Sequence, residues 1–411
     1  MKVLCITRLF SGIESSLFNK KWKPTGVPTI FKMIEKFDSE AEGRFIFTSK
    51  DGFTNWNTPK VETLKLEGLN HKITVLPGKT KFFFLPLNKL QLIARELFQF
   101  LYCLVAYFKE KPDFIYIDHA NTLIAAFFAR FTSTPVVYRV MGVYPFMRDV
   151  IKENSLKGRI FKFCYRSPFK QVICTQDGSG VEPWLETALH PNTKVEKLIN
   201  GVDDFNIIKD TPESLATIPT DKTKVLFVGK IETAKGSVSF VESLILSIKQ
   251  DPDIHAIVVG NGSKRESLIE KVKEEGLEGS FTFIQRLPHN EILKVHELSD
   301  IYISLNRLGN LSVANLEAMK FGQCMIFPKS QPETKIDFIT DSLLEDNCAI
   351  RVENSDDIKG IKESILRLHK NKDEIQLLST NMKKCAQKFI PTWEKRVSKE
   401  FTTITNAIKT S

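Results

Sequence analysis

The chain has 411 residues, of which 42% are hydrophobic and 26% charged, and its mean hydropathy is −0.14. These values are typical of a globular protein of two domains, and they exclude a disordered chain, a collagen and a bundle of membrane-spanning helices. The net charge of +9 is uneven, since residues 1–200 hold 29 Lys and Arg against 18 Asp and Glu (net +11) and residues 201–411 hold 29 against 31 (net −2), so the first half is the candidate for contact with an anionic partner.

Short runs of Val, Ile and Phe alternate with helical or loop segments through the first half. The run MKVLCITRLF predicts a strand and lacks a cleavable apolar stretch, so we expect no signal peptide and a cytoplasmic location. Gly12 and Gly26 lie in the loop that follows, which either faces an acceptor or is a plain linker before a helix at Val27–Phe37. The strands predicted here are Lys2–Thr7, Arg44–Thr48, Lys72–Leu76, Phe114–Ile117, Pro135–Val140 and Gln171–Thr175.

Two segments of the first half combine cations with apolar side chains. In Lys79–Lys111, the stretch Leu92–Phe108 contains Arg95 and Glu96 and is too short and too charged to span a membrane. We favour a buried helix there over a helix that lies on a membrane. Lys157–Lys170 interleaves five cations with four aromatic residues, which suits a peripheral face on anionic lipid at the inner side of the plasma membrane. We expect no nucleic acid partner, because no nucleic-acid-binding fold accompanies this pattern.

The second half alternates strands and helices more regularly, which is typical of a doubly wound parallel sheet. A polar, proline-containing stretch at Gly201–Pro219 marks the boundary. We predict domains at residues 1–204 and 205–382, and a helix in 383–411 that packs back on the first domain. The predicted strands are Lys224–Lys230, Ile254–Gly260, Phe281–Leu287, Ile301–Leu305, Cys324–Pro328 and Cys348–Glu353. Ligands are expected where such strands end.

The first candidate motif follows the strand at Lys224 and reads GKIETAKG before a helix. Gly229 and Gly236 let backbone approach a phosphate, the helix offers unpaired N–H groups, and Lys230 and Lys235 flank a diphosphate as point charges. The motif is not a P-loop, because G-x-x-x-x-G-K-[ST] is absent. A plain connection between a strand and a helix is the other interpretation.

Two further segments belong to the same predicted edge of the sheet. Gly260 and Gly262 form a tight turn after the next strand, although an ordinary turn explains them equally well. In the segment Asn310–Met319, Glu317 lies among apolar neighbours and needs partners if it is buried. A ribose diol supplies two hydroxyl donors for it, whereas a glutamate on a solvated helix face needs none.

Together the three segments resemble, in order and spacing, the second domain of GT-B glycosyltransferases of the family-4, retaining type (glycosyl transferases group 1). VGKIETAKG is similar to that family's VGRL-x-x-x-KG, VVGNGS to its strand-end G-x-G, and NLSVANLEAMKFGQCMIF to the stretch with its Glu-x7-Glu motif. LINGVD, KPDFIYIDHAN and TPVVYRVMGVYP resemble segments of its first domain and linker. The resemblance covers nearly the whole chain and implies an α/β fold of two Rossmann-like, doubly wound domains that face a central cleft.

The resemblance also implies roles for single residues on the donor side. Lys230 stands where the family has an arginine, and with Lys235 it would hold the donor diphosphate, while Glu317 matches the second glutamate and would bind the ribose. The first glutamate is replaced by Gly309, so Asn310 or the turn backbone is expected to contact the donor sugar.

On the acceptor side the chain departs from the family at one position. Met141 stands where the family has a histidine before Gly142. This leaves His119 and Arg139 as the candidate catalytic residues around the reaction centre.

The implied reaction moves a sugar from a nucleotide diphosphate sugar to an acceptor hydroxyl, with a glycan or a lipid-linked glycan of surface polysaccharide synthesis as acceptor. The lysines and the helix dipole neutralise the leaving diphosphate, so we expect a metal-independent enzyme with no cofactor besides the sugar nucleotide. The resemblance implies that the enzyme is retaining.

The seven cysteines lack a C-x-x-C pair and are expected to be reduced and buried. The alternatives are a GT-B sugar-nucleotide 2-epimerase and a non-catalytic GT-B subunit that supports a partner transferase.

Overall fold

The computed structural model describes residues 1–10, 12–50, 60–78, 88–345 and 347–409, without the side chains of 88–90. The chain divides into two compact units. The first consists of Met1–Thr175, Glu182–Leu198 and Glu394–Ser411. The second consists of Gln176–Val181 and Ile199–Trp393.

In the described part of the first unit, eight strands form one sheet. Its order is β3-β4-β2-β1-β5-β6-β7-β8, and all neighbours are parallel except β3 and β4. Central strands β5, β6 and β7 are buried along their whole length, because helices cover both faces of a parallel sheet. The strands are β1 (Lys2–Arg8), β2 (Glu42–Thr48), β3 (Glu62–Lys65), β4 (Lys72–Leu76), β5 (Phe114–Asp118), β6 (Val136–Val140), β7 (Gln171–Thr175) and β8 (Val195–Leu198).

The helices of this half lie between the strands. They are α1 (Glu14–Phe18), α2 (Pro28–Glu40), α3 (Asn88–Glu110), α4 (Thr122–Phe131), α5 (Pro145–Val150), α6 (Leu156–Tyr165) and α7 (Val181–Ala188). Chain order reverses between β1 and β5, so the loops after these two strands diverge to opposite faces of the sheet and leave a crevice at their carboxyl ends.

The sequence favoured a buried helix at Leu92–Phe108, but the helix α3 is buried on one side only. One side of α3 is buried through Arg95, Gln99, Cys103 and Ala106. The other side leaves apolar side chains between 43% and 67% exposed, namely Leu92, Ile93, Leu97, Leu101, Val105 and Phe108. The described part of the segment is therefore covered on one face and apolar on its exposed face. Residues 79–87 of the same segment lie outside the described residues.

Six parallel strands form the sheet of the second unit, as far as the structure describes it, in the order β11-β10-β9-β12-β13-β14. They are β9 (Thr223–Val228), β10 (Ile254–Val259), β11 (Phe281–Ile284), β12 (Ile301–Ile303), β13 (Cys324–Pro328) and β14 (Ala349–Val352). The helices are α8 (Ser237–Gln250), α9 (Arg265–Glu274), α10 (His289–Leu298), α11 (Val313–Phe321), α12 (Phe338–Leu343), α13 (Ile358–Lys370) and α14 (Lys372–Phe389). Chain order reverses here between β9 and β12.

A last helix, α15 (Trp393–Lys409), follows the second unit in the chain, and from Glu394 onward it belongs to the first unit. All seven cysteines are free and buried. No helix in the described residues combines the length and the apolar character needed to cross a membrane.

Candidate functional site

The candidate donor site lies in the second unit, at the carboxyl edge of its sheet. The loops after β9, β10 and β12 all leave that edge, because the three strands are parallel neighbours. The reversal of chain order between β9 and β12 is where a doubly wound sheet opens a crevice for a ligand. This geometry brings together the three segments that carry the predicted glycines, lysines and Glu317.

The loops after β9 and β10 are bonded to each other through their backbones. Gly229 N donates to Val259 O (3.0 Å) and Ile231 N donates to Asn261 O (3.0 Å). Gly260 has φ +149°, and a Cβ there would lie 1.8 Å from Gly229 O. A Cβ on Gly262 would lie 2.3 Å from Ile231 O. Close packing of the two loops therefore accounts for both glycines without any ligand, whereas Gly229 has ordinary space for a Cβ.

Gly236 caps the N-terminus of α8, and its φ of +75° and contact with Leu305 leave no room for a side chain. Lys230 is exposed and Lys235 half-buried on the turn before this helix. Burial lowers the pKa of Lys235 and the charge of Lys230 lowers it further, while Asp177 opposes both. Two cations within electrostatic reach of each other, close to a helix N-terminus, create a positive potential that favours an anion.

Asp177 was not predicted from the sequence. It lies in the loop Gln176–Val181, in the second unit, where its carboxylate accepts hydrogen bonds from Ser179 N (3.1 Å) and Oγ (2.5 Å). Burial raises its pKa to about 6, with Ser179 and Lys235 acting against that rise. Gly178 and Gly180, both at positive φ, were the available signal for a special turn in QDGSG.

The same loop explains Gly309. This residue has φ +120°, and a Cβ would lie 2.5 Å from Gly178 C and 2.6 Å from Asp177 O. A glutamate at position 309 is therefore excluded by the backbone that carries Asp177. The backbone of Asp177 thus lies beside the position from which the family's glutamate is missing.

The structure contradicts the expectation that Asn310 contacts the donor sugar. Asn310 is fully buried, and its side-chain Nδ2 donates to Asn306 O (3.0 Å) and Asp337 Oδ2 (2.6 Å). Its Oδ1 accepts from Ser304 Oγ (2.6 Å), and its backbone N donates to Asp337 Oδ1 (2.7 Å). Every hydrogen-bonding group of the amide is thus used inside the protein, so Asn310 shapes the turn after β12 instead of facing a ligand.

Glu317 lies on α11, with its side chain 13% exposed. Burial raises its pKa from 4.5 to about 7. His289 Nε2 is 3.9 Å from Glu317 Oε1, too long for a hydrogen bond. A carboxylate that is mostly buried and forms no hydrogen bond with His289 is able to accept hydrogen bonds from hydroxyl donors of a ligand.

His119 follows β5 in the first unit. Its Nδ1 accepts from Met141 N (3.4 Å), its ring stacks on Tyr144 (5.7 Å between centroids), and burial lowers its pKa to about 4. The ring is therefore neutral near pH 7. The ring also forms a hydrogen bond with the backbone of Arg139, which acts against the lowering of the pKa.

The structure also disagrees with a catalytic role for Arg139. Its side chain is fully buried, and its Nε lies 3.2 Å from Oε1 of Glu400, which is itself fully buried. Its other nitrogens donate to Val140 O, Ile173 O (3.2 Å) and Thr175 Oγ1 (2.6 Å). A guanidinium enclosed in this way has no surface for a substrate, so Arg139 stabilises the first unit.

Gly12 (φ +97°) and Gly26 (φ +68°), which the sequence suggested as an acceptor-side loop, bracket a segment that contains α1. Thr25 N donates to Gly12 O (2.9 Å), and a Cβ on Gly12 would lie 2.0 Å from Thr25 O. The loop is closed on itself by this bond.

No group of three His, Cys, Asp or Glu side chains suited to a metal ion occurs in the part of the chain that the structure describes.

Comparison with known proteins finds a family that matches the part of the chain containing this site. Residues 211–388 match the family described as glycosyl transferases group 1. This range contains the loops after β9, β10 and β12, and hence Lys230, Lys235 and Glu317. No curated protein sequence matches the chain significantly.

Solved structures similar to this chain share its fold at low sequence identity. A sucrose-phosphate synthase from Thermosynechococcus elongatus has a TM-score of 0.72 at 14% identity, with 100% of both chains covered. HepE from Anabaena, in complex with UDP-glucose, has a TM-score of 0.63 at 14% identity, with 98% of this chain and 100% of that chain covered. The lipopolysaccharide outer core galactosyltransferase WaaB has a TM-score of 0.60 at 13% identity, with 100% and 99% covered. The chain therefore has the GT-B fold, and its residues 211–388 match glycosyl transferases group 1.

Proposed function

We propose that this enzyme transfers a sugar from a nucleotide diphosphate sugar, with retention and without a bound metal, to a lipid-linked or growing glycan of surface polysaccharide synthesis. The observation that supports it most directly is the pair Lys230 and Lys235 before α8, at the crevice between β9 and β12. Binding of UDP-glucose by HepE, which has the same fold, favours a sugar nucleotide as donor. Retention is carried over from the resemblance to the family-4 type.

In this proposal each charged group has one task in the donor site. The two lysines and the N-terminal turn of α8 bind the diphosphate and stabilise the charge that develops on it as the glycosidic bond to the sugar breaks. Glu317 accepts hydrogen bonds from the ribose hydroxyls. Asp177, whose pKa of about 6 leaves it mostly ionised at pH 7, accepts hydrogen bonds from hydroxyls of the donor sugar.

A nucleotide panel tests the donor site. We expect one of UDP, GDP, ADP and CMP to raise the melting temperature, because a ligand that binds only the folded state stabilises it by mass action. The variant Lys235→Met should weaken that binding about tenfold or more, since a hydrogen bond to a charged group contributes about 1.5–3 kcal/mol. Lys249→Met, at the opposite end of α8 and paired with Glu275, is the matched control and should bind like the wild type.

The variant Asp177→Asn separates the sugar from the nucleotide in the same assay. It should keep the affinity for the nucleoside diphosphate within about threefold and lose about tenfold or more for the sugar nucleotide, as expected when one charge-assisted hydrogen bond is removed. An equal loss for both ligands would contradict the assignment of Asp177 to the sugar. If no nucleotide bound at all, the donor site would be wrong and the non-catalytic subunit would become the better interpretation.

The location at a membrane is proposed from an apolar face on the first unit, formed by exposed side chains of α3, α4 and α6. Phe100 of α3 packs on Phe127 of α4 (4.7 Å between centroids), and Arg130 of α4 lies 3.7 Å from the ring centroid of Phe163 on α6. The three helices therefore contact one another in sequence, α3 with α4 and α4 with α6. Besides the six residues of α3, the apolar face contains Phe131, Leu156, Ile160 and Phe163. Exposed cations on α6, including Lys157 and Arg159, accompany it, as anionic lipid requires.

Vesicle flotation tests this face. At low salt the wild type should bind vesicles with 30% anionic lipid and release them at high salt, because screening weakens the charge attraction. The double variant Val105→Glu and Phe108→Glu, at sites 67% and 66% exposed, should bind about tenfold more weakly. Leu377→Glu, 60% exposed on α14, is the control and should bind normally. Equal binding of the double variant would refute the proposed face.

A further inference from the structure

His289 is the first residue of α10 and lies beside Glu317 on α11. The Nε2 atom of His289 is 3.9 Å from Oε1 of Glu317, and the histidine side chain is 66% exposed whereas that of the glutamate is 13% exposed. The strands β11 and β12 are parallel members of one sheet, so the helices that follow them both begin at its carboxyl edge. His289 is therefore a neighbour of the candidate donor site.

The face of α10 that carries His289 is turned toward β12 and α11. His296 lies seven residues further along, which is two turns and hence the same face of the helix. It is fully buried, and its ring lies 5.5 Å from that of Tyr302 on β12 and 5.9 Å from that of Phe321 on α11, measured between centroids. Burial lowers the pKa of His296 to about 4, and the charge of His289 contributes to this. The packing of this face places the start of α10 beside Glu317.

The carboxylate of Glu317 accepts no hydrogen bond from the residues that the structure describes. The phenol of Tyr302 is within electrostatic reach of it but bonds to Asn315 Oδ1 (2.9 Å) instead. Burial raises the pKa of Glu317 to about 7, and neither a hydrogen bond nor an opposite charge acts against that rise. A mostly buried carboxylate without a donor is costly, so a hydroxyl donor from a ligand would relieve it.

The gap of 3.9 Å between the two side chains suits one hydroxyl group. An ionised carboxylate only accepts hydrogen bonds, and a histidine Nε2 that carries a proton donates one. A hydroxyl group has one proton to donate and lone pairs that accept. Its oxygen can lie about 2.7–2.9 Å from both atoms, with an angle of roughly 90° at the oxygen. A carbonyl lacks the proton and an ammonium group lacks the lone pairs, so each would satisfy only one of the two side chains.

We propose that His289 determines specificity in the donor site: its Nε2 donates to one ribose hydroxyl of the nucleotide, while the same hydroxyl donates to Glu317. The inference rests on the proposed function, because it deepens the task given there to Glu317. The ligand class that follows is a ribonucleotide. A deoxyribonucleotide that lacks this bridging hydroxyl would leave the buried carboxylate without its donor. A merely electrostatic effect of His289 on Glu317 would give no preference for the sugar of the nucleotide.

Titration calorimetry of the full chain at pH 8, where Glu317 is mostly ionised, compares UDP with 2′-deoxy-UDP and 3′-deoxy-UDP. The same three forms of GDP, ADP or CMP replace them if the nucleotide panel selects that base. His289→Ala should weaken the binding of UDP about threefold to tenfold, the loss expected for one hydrogen bond. For the analogue that lacks the bridging hydroxyl, His289→Ala should change nothing, because the substitution and the missing hydroxyl remove the same interaction.

Two further variants serve as controls. His289→Gln keeps an N–H donor on the side chain and should bind UDP more tightly than His289→Ala. Asn290→Ala is exposed at the next position, about 100° further round the helix, and should bind all three nucleotides like the wild type. Since His289 is mostly exposed, its variants should melt at the temperature of the wild type without nucleotide. Equal losses on His289→Ala for UDP and both deoxy analogues would overturn the bridge, as would an unchanged affinity for UDP.

The outcome can be separated from that of the proposed function. If no nucleotide bound the wild type, the donor site itself would be wrong. If UDP bound and Lys235→Met weakened its binding while His289→Ala did not, the donor site would stand and the role of His289 would be refuted.

Discussion

The variant Glu400→Ala is expected to lower the free energy of unfolding of the first unit by about 3–5 kcal/mol, because it leaves two buried guanidinium groups without their carboxylate. Glu400 is fully buried on α15, accepts from Tyr116 Oη (2.9 Å), and lies 2.5 Å from Arg396 Nη1 and 3.2 Å from Arg139 Nε. A loss of that size is a large part of the about 5–15 kcal/mol that typically stabilises a protein domain. Hydrogen exchange at β5 and β6 measures the effect within the first unit.

Lys399→Ala is the matched control on the same helix. Lys399 is 62% exposed and pairs with Glu196 at the surface, so its loss should cost under about 1 kcal/mol. Burial would raise the pKa of Glu400, but Arg139 and Arg396 hold it below 4.5. The unfolded chain therefore binds this proton first, and the stabilisation is complete above about pH 5 and is lost as the pH falls below 4.5. Equal effects of the two variants at pH 7 would contradict this account of the cluster.

The variant Glu317→Gln is expected to stabilise the second unit without ligand and to weaken nucleotide binding at the same time. A rise in pKa from 4.5 to about 7 corresponds to a destabilisation of up to about 3 kcal/mol by the ionised carboxylate. The unfolded chain loses its proton near pH 4.5 and the folded chain only near pH 7, so this destabilisation grows between these values and is complete above pH 7. Glutamine lacks it.

Two measurements check this expectation. Urea unfolding at pH 8 should show Glu317→Gln as more stable than the wild type by about 1–3 kcal/mol, with a difference near zero at pH 4.5. Affinity for the nucleotide found in the panel should fall at least tenfold at pH 8. Glu297→Gln, 46% exposed on α10, is the control for a carboxylate at the surface. A difference in stability that did not change with pH would show that burial of the charge is not its cause.

The sequence predicts the layered part of the fold well, because a buried parallel strand is a short apolar run whatever its partners are. Such runs predicted β9, β10 and β13 within a few residues of their observed bounds. The helix α3 shows where this signal ends. Its large apolar side chains are exposed, while Arg95 and Gln99 are buried. Which face of a helix is covered depends on neighbours elsewhere in the chain.

The candidate site was predicted where it depends on local turns and not where it depends on distant partners. Lys235 and Gly236 follow from the turn before α8 itself. Arg139 looked available because its partner Glu400 lies in another part of the sequence, on a different element. Asp177 escaped notice because its loop follows a strand of the first unit but belongs to the second. Contacts between residues that lie far apart in the chain produce no periodic pattern and no fixed spacing in the sequence.

The first unit cannot be completed until α15, at the end of the chain, has been synthesised. The first unit contains residues up to Leu198 and again from Glu394, and all 195 residues between them (199–393) belong to the second unit. At about 5–20 residues per second, a ribosome needs roughly 10–40 s to cross this interval. During that time Arg139 has been synthesised and Glu400 has not. The first unit therefore cannot complete its buried ion pairs between Glu400 and the guanidinium groups until the second unit has been synthesised.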